Sequence, residues 1–204
     1  MKKRKFKEMS MDEQELVRQI QEGDEMAFAE IMRIYKDKIV NYLYQFTGDY
    51  QKAVDLSQET FMRVYFKANK YKPIAPFSSW VYAIASNLAK TEMKKTQKVA
   101  TVSLDDLHNS YSYGACSENP TESGLSRNIR QCLNALHTRY KIPVILKDME
   151  GFSLEEIAQI QKRPLGTVKA RISRGRNYLR RELEKAIKEE DKDLEKKENL
   201  NGRA

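Results

Sequence analysis

Residues 151–176 read Gly-Phe-Ser-Leu-Glu-Glu-Ile-Ala-Gln-Ile-Gln-Lys-Arg-Pro-Leu-Gly-Thr-Val-Lys-Ala-Arg-Ile-Ser-Arg-Gly-Arg, and that order calls for two short helices joined by a tight turn. Ser153 is a good N-cap, and Glu156 three residues on completes a capping box, with Phe152 and Ile157 placed as the hydrophobic staple around it. After a turn near residues 161–163, Pro164 sits where a second helix can begin, because its missing N–H would be unpaired there anyway. Val168, Ile172, Gly175 and Leu179 then share one face at three-and-four spacing. Lys169, Arg171, Ser173, Arg174, Arg176 and Asn177 lie off that face, and no acidic residue occurs from Arg163 to Arg181. A cationic helix is often no more than a solvated surface. The capping box, the small Ala158 before the turn and the one-sided charge together point to a helix-turn-helix whose second helix enters a DNA major groove.

The rest of the composition agrees with a nucleic-acid partner. The net charge of +8 and pI near 9.3 favour a polyanion. At 204 residues the chain makes one or two small domains, and its low Gly and Pro content favours helices. No apolar run approaches the roughly 20 residues that cross a bilayer. The basic start, Met1 to Lys7, lacks the apolar core of a secretory signal, so a cytoplasmic location is expected. Cys116, Cys132, His108 and His137 lack metal-ligand spacing; neither a metal nor a cofactor is expected, and both cysteines read as free thiols.

Three amphipathic patterns occupy the first half. Phe28, Ile31, Tyr35, Ile39, Tyr42 and Phe46 recur at helical spacing, and Gly48 ends that stretch. Val54, Phe61, Val64, Tyr65 and Ala68 form a second stripe. A third helix, capped by Ser78 or Ser79, turns Phe77, Val81, Ile84 and Leu88 inward. The ordinary reading of these apolar positions is core. From about Thr96 the period is lost and turn formers and acidic residues take over, as in a flexible linker. Leu125, Ile129, Leu133 and Leu136 resume the pattern, followed by a helix opened by Pro143 and closed near Gly151. The expected organisation is all-α: a basic segment over 1–23, a helical domain over 24–95, an acidic linker over 96–124, a second helical domain over 125–184 and a charged tail over 185–204.

Between Glu59 and Glu92 no acidic residue occurs, and Arg63, Lys67, Lys70, Lys72 and Lys90 alternate with Tyr65, Phe66, Tyr71, Phe77, Trp80 and Tyr82. Basic residues hold phosphates and aromatic faces stack unpaired bases, so this window suits separated strands. On the third helix Ser79, Ala83, Ser86, Asn87, Lys90 and Lys94 form a stripe away from the apolar side; a solvated polar face is the plainer alternative. Asp55, Gln58, Glu59 and Met62 form an acidic, amide-bearing stripe that nucleic acid would avoid and a protein partner would fit. No supported nucleophile, acid–base pair or phosphate-cradling loop is present, so an enzyme is not expected.

Taken together, Asp55-Leu-Ser-Gln-Glu-Thr-Phe-Met-Arg-Val-Tyr65, Phe77-Ser-Ser-Trp-Val-Tyr-Ala-Ile-Ala-Ser-Asn-Leu-Ala-Lys90 and Gly151 through Leu183, with Gly166-Thr-Val-Lys-Ala-Arg171 at its heart, resemble the extracytoplasmic-function sigma factors of bacterial RNA polymerase. They look like that family's regions 2.2, 2.3–2.4 and 4.2 in order, over about positions 24–95 and 125–184. The resemblance implies an initiation factor that binds core RNA polymerase, reads −35 and −10 promoter elements and helps melt the duplex. It implies that Asp55, Gln58 and Glu59 dock on the β′ clamp helices and that apolar positions within 133–149 include a contact to the β flap. Lys72, Phe77, Ser78, Asn87 and Lys90 would meet the −10 element, a non-template base being captured near the loop 71–78. Thr167, Lys169, Arg171, Arg174 and Arg176 would meet the −35 duplex. It further implies a stress or envelope response under a cognate anti-sigma factor, which masks both domains and can hold the protein at the membrane, and an acidic linker that threads toward the RNA exit path. No small-molecule substrate is implied.

The chain departs from that pattern in three places. His137 stands where proline often follows leucine, Gly175 replaces the usual alanine between two arginines, and the loop Pro73-Ile-Ala-Pro76 is apolar where acidic or glycine-rich versions are common. Two other classes differ in what they require. A plain transcription regulator would carry a ligand or phosphoacceptor domain in place of the Asp55–Tyr65 and Phe77–Lys90 pair. A DNA-cutting or recombining enzyme would carry clustered carboxylates or a supported nucleophile.

Overall fold

The computed structural model describes residues 13–102 and 124–201, and side chains within 13–95 and 127–188. Every regular element among them is helical. The first unit comprises α1 (13–21), α2 (Glu25–Thr47), α3 (Tyr50–Lys67), a 3-10 turn (Ala68–Lys70) and α4 (Phe77–Val102). The second comprises α5 (Gly124–Ala135), α6 (Thr138–Asp148), α7 (Leu154–Gln161) and α8 (Leu165–Asn201).

Local chemistry sets the boundaries. Asp24 starts α2 by accepting the amides of Met26 and Ala27, and Gly48 stops it at φ 64°, a left-handed conformation that costs a residue without Cβ little. Asp49 caps α3 by accepting the Lys52 amide at 3.1 Å. The α2 stripe is buried as its spacing requires, with Ile31, Ile39, Tyr42 and Leu43 fully enclosed and Phe28 half-buried at the rim. Burial of each such side chain contributes roughly 1.5–3 kcal/mol, which outweighs the weak helix preference of the β-branched and aromatic members.

Several boundaries differ from the sequence expectation. Within the stretch read as a basic segment, 13–21 is a helix that buries Val17 and Ile20. Helix α4 starts at Phe77, so neither Ser78 nor Ser79 caps it. It also continues to Val102, taking the first residues of the expected linker. The remainder of that linker, with Cys116, lies outside the described residues. His137 opens α6, its Nδ1 accepting the Arg139 amide at 3.1 Å. Pro143 is therefore inside the helix, where it forfeits only the bond to the Arg139 carbonyl one turn back. Ile129 is 40% exposed, and α5 instead turns Asn128, Cys132 and Leu133 inward. Helix α8 runs far into the charged tail.

The two units pack on each other. Tyr82 of α4 lies edge-on to Phe152 with centroids 4.8 Å apart, and its hydroxyl donates to Glu150 Oε2 at 2.5 Å. Thr138 Oγ1 donates to Met93 Sδ at 3.4 Å. Lys141, 1% exposed, donates to Asn134 Oδ1 at 2.9 Å and places its ammonium over the Phe46 ring. Burial, then the Glu150 carboxylate beside it, drives the Tyr82 phenol well above its ordinary range, and burial raises Glu150 as well.

Candidate nucleic-acid interface

In the second unit the capping box is closed in both directions. Ser153 Oγ accepts the Glu156 amide at 3.1 Å, and Glu156 Oε2 accepts the Ser153 amide at 2.7 Å. The turn passes through Lys162 in a left-handed conformation (φ 51°), unusual for a residue with a side chain. The Pro164 carbonyl accepts the amides of Thr167 and Val168, so Pro164 stands just before α8 and Leu165 begins it. Val168 and Ile172 are buried against α6 and α7, as is Gly175, whose lack of a Cβ lets α8 approach Val144 and Tyr140 of α6.

That seating fixes what α8 shows to solvent. Lys169 and Arg174 are exposed and Thr167 is half-buried on the outer side. Lys162 and Arg163 in the turn are exposed too, extending the basic surface beyond the residues singled out from sequence. Arg171 is half-buried, and its Nη1 approaches Gln161 Oε1 at 3.5 Å. Arg176 is exposed but committed to Asp148 of α6, with Nε to Oδ2 at 3.0 Å and a second, shorter bond from Nη2. Such an exposed pair is worth little by itself, so phosphate can displace Asp148. Lys147, Lys169, Arg176 and Asn177 line a shallow cleft of about 290 Å³ between α6, α7 and α8.

The first unit arranges its candidates differently. Asn87 and Lys72 are exposed, and Lys90 is half-buried. Burial first, then Arg163, Arg171 and Lys94, lower the Lys90 pKa: cations from both units crowd one place, a field that a polyanion relieves. Phe77 does not join this surface. It is 3% exposed and packed among Tyr35, Tyr71 and Trp80, because the loop before α4 folds back over its first turn. Ser78 is half-buried, near the Tyr35 hydroxyl. The polar stripe expected on α4 is interrupted as well. Ser79 is 3% exposed, and Ser86 is fully buried with its hydroxyl 2.6 Å from that of Tyr42. A hydroxyl so paired is a core residue, since burying it alone would cost more than the bond returns.

On α3, Asp55 and Gln58 are exposed, and Glu59 is half-buried, accepting from Arg63 at 2.5 Å. Met62 (58% exposed) and Phe66 (75%) continue the line at four-residue spacing. Phe66, read from sequence with the stacking aromatics, thus belongs to the acidic–apolar stripe, and the spacing 55, 58, 62, 66 already contained that signal. A residue that pattern reading missed is Gln21 at the end of α1. Its Nε2 donates to the carbonyls of Ala68 (2.9 Å) and Tyr71 (3.2 Å), tying α1 to the start of the loop before α4. Among the described residues, no group of His, Cys, Asp and Glu is arranged to hold a metal ion and no helix is long and apolar enough to cross a membrane.

Comparison with known proteins finds the same two units. Residues 31–99 match the family model for Sigma-70 region 2, and residues 126–179 that for Sigma-70, region 4. Over 184 residues the chain is 35% identical to the ECF RNA polymerase sigma factor SigW of Bacillus subtilis, a match covering 86% of this chain and 98% of that one. It is 28% identical over 186 residues to the RNA polymerase sigma-H factor of Pseudomonas aeruginosa, covering 87% and 96%. Among solved structures, CnrH in complex with the cytosolic domain of CnrY is similar at a TM-score of 0.65 and 20% identity, over 85% of this chain and 97% of that one. The sigma factor RpoE in complex with the anti-sigma factor NepR from Bartonella quintana gives 0.61 and 24%, over 77% and 96%.

Proposed function

The chain belongs to the ECF sigma factors of bacterial RNA polymerase, and we propose that it carries core polymerase to promoters, reads their −35 and −10 elements and traps separated bases to open the duplex. The observation that carries this reading is the sorting of surface chemistry onto three elements. The outer side of α8 is basic and free of carboxylates through Arg181, α4 offers an amide and lysines, and α3 presents an acidic–apolar stripe. Lys169 and Arg174, with Thr167 and Arg171, suit phosphates and base edges of a paired duplex, and Arg176 joins them by exchanging Asp148 for phosphate. Asn87 and Lys90, with Lys72 at the loop, suit a displaced strand. Asp55 and Gln58, with Glu59 and the neighbouring Met62 and Phe66, suit a basic–apolar helical partner, here the β′ clamp helices. Within 133–149 Leu133, Leu136, Ile142, Val144, Ile145 and Leu146 are buried in the core, and the exposed Met149 (52%) is the apolar side chain that would make the β-flap contact. Phe77 acts from the core, shaping the loop rather than touching DNA.

The docked arrangement is a resting one. The two promoter elements are about 25 base pairs apart by their position labels, or about 85 Å at 3.4 Å per pair. Even α8, the longest described helix at 37 residues, is only about 55 Å long at 1.5 Å per residue. The units must therefore part for both elements to be held at once. The chain acts in the cytoplasm, and an anti-sigma factor, as in the solved RpoE–NepR complex it resembles, would hold it from polymerase in a stress or envelope response. The test is capture of purified core polymerase by the tagged chain: wild type retains it, and Asp55→Lys with Gln58→Lys loses it while keeping −35 duplex binding. Capture that survives both substitutions would remove α3 from the polymerase interface.

A further inference from the structure

The segment between α3 and α4 is more tightly fixed than its apolar, proline-bearing sequence suggests. The Tyr71 amide donates to the Ala68 carbonyl at 3.0 Å, and the Tyr71 hydroxyl returns to the Ala75 carbonyl at 2.7 Å, closing the segment into a ring. The Tyr71 side chain is 8% exposed and rests on Phe77 and Trp80, with centroids 5.2 and 5.5 Å away. Ile74, at the tip, is 83% exposed. The far side of this ring is held from outside by Gln21. Its single amide group spans Ala68 and Tyr71, residues 47 and 50 positions away in the chain.

Gln21 is itself seated by α1. Val17 and Ile20 bury against the first unit, and at the other end of the helix Glu13 accepts a hydrogen bond from the Tyr35 hydroxyl. Tyr35 in turn contacts the Phe77 ring at the start of α4. One short helix therefore braces both ends of the loop, through Gln21 at its entry and through Glu13 and Tyr35 at its exit.

We propose that Gln21 is a positioning residue for −10 recognition: by fixing the Ala68 and Tyr71 carbonyls it sets the conformation in which loop 71–76 meets an unstacked base. The inference rests on the reading of this loop as part of the −10 surface. A base-reading contact depends on placement within a fraction of an ångström, and a reader on a loop is only as selective as the groups that hold the loop. Gln21 touches no nucleotide in this account. It acts through two backbone carbonyls, of which Ala68's also accepts the Tyr71 amide, and glutamine supplies two N–H bonds from one nitrogen.

The test uses Gln21→Glu, which keeps the size of the side chain and replaces both donors with an acceptor, and Gln21→Met, which removes donors without adding charge. Each full-length chain is assembled with core polymerase and offered a pool of single-stranded oligonucleotides randomised over a −10-length window; retained strands are sequenced. Wild type enriches one base at one position. Both variants should lose about tenfold of that enrichment, the size of one good base contact, while core capture and −35 duplex affinity stay as in wild type. Undiminished enrichment in both variants overturns the role of Gln21. Equal losses of enrichment and of −35 affinity would show a general structural role and overturn it too. An unselective wild type would instead sink the −10 reading on which the inference stands.

Discussion

Gly175 offers a prediction whose sign turns on a single methyl group. It lies inside α8, where alanine is ordinarily favoured over glycine by about 1 kcal/mol. A Cβ built there meets Val144 Cγ2 at 2.7 Å, far inside the roughly 3.5–4.0 Å of carbon–carbon contact. Its next neighbours, Tyr140 Cβ and O, stand at 3.4 and 3.5 Å. Val144 is 4% exposed, and a β-branched residue in a helix has essentially one χ1 rotamer, so it cannot swing aside. Overpacking of this kind costs about 1–3 kcal/mol. Gly175→Ala should therefore destabilise by up to about 2 kcal/mol in spite of the propensity gain. With Val144→Ala already present, the same change should stabilise by about 0.5–1 kcal/mol. Urea unfolding of the four proteins in a double-mutant cycle measures both signs, provided the m-values agree. A Gly175→Ala protein that is more stable than wild type, with no dependence on residue 144, would refute the packing argument. It would also leave the departure from the family's alanine without a structural reason.

Three further outcomes follow from the same geometry. In a chain lacking its native cysteines (Cys116→Ser, Cys132→Ala), Met93→Cys and Thr138→Cys should join through a short thiol cross-linker, because Sδ and Oγ1 are 3.4 Å apart; the joined protein should bind core polymerase yet initiate far less than its unjoined control. Equal initiation would mean the units need not separate. Arg171→Ala should weaken −35 duplex binding by about 1–3 kcal/mol if the guanidinium reads a guanine, and anisotropy titrations with unchanged affinity across −35 variants would exclude that role. Burial raises the phenol pKa values of Tyr35, Tyr42 and Tyr82 above the unfolded value of about 10. The neutral phenols are the forms the fold prefers, so their contribution is complete below pH 10 and falls as pH rises above it. Tyrosinate absorbance should then rise together with loss of helical ellipticity, whereas ionisation of every tyrosine near pH 10 with the helices intact would contradict their burial.

Legibility in the sequence followed the range of the interactions. The capping box, the Gly48 stop and the α2 and α8 apolar faces are set by neighbours three or four residues apart, and the chain alone displayed them. Ser79 and Ser86 were misplaced for one reason, whereas helical spacing already turned Phe77 inward and only the family resemblance placed it at the −10 element. A polar stripe on a helix normally marks solvent, but α4 is enclosed by the first unit on one side and by α7 on the other, and Ser86 satisfies its hydroxyl on Tyr42. The Arg176–Asp148 pair spans 28 positions, and the Gln21 bonds span 47 and 50. No local pattern encodes such partners. Helix α1 was hidden by the lysine-rich residues ahead of it, although Val17 and Ile20 already stood at helical spacing.

The central claim is that one face of this chain rides on polymerase while two others hold the promoter in different states. Its most direct test is run-off transcription by core polymerase supplemented with the purified chain, on fragmented DNA from its own source, with permanganate probing of unpaired thymines. RNA should start at discrete sites whose −10 thymines become reactive, and Asn87→Ala should abolish that reactivity while core capture persists. A core enzyme that initiates with another sigma factor but starts no RNA from any fragment with this chain would contradict the account.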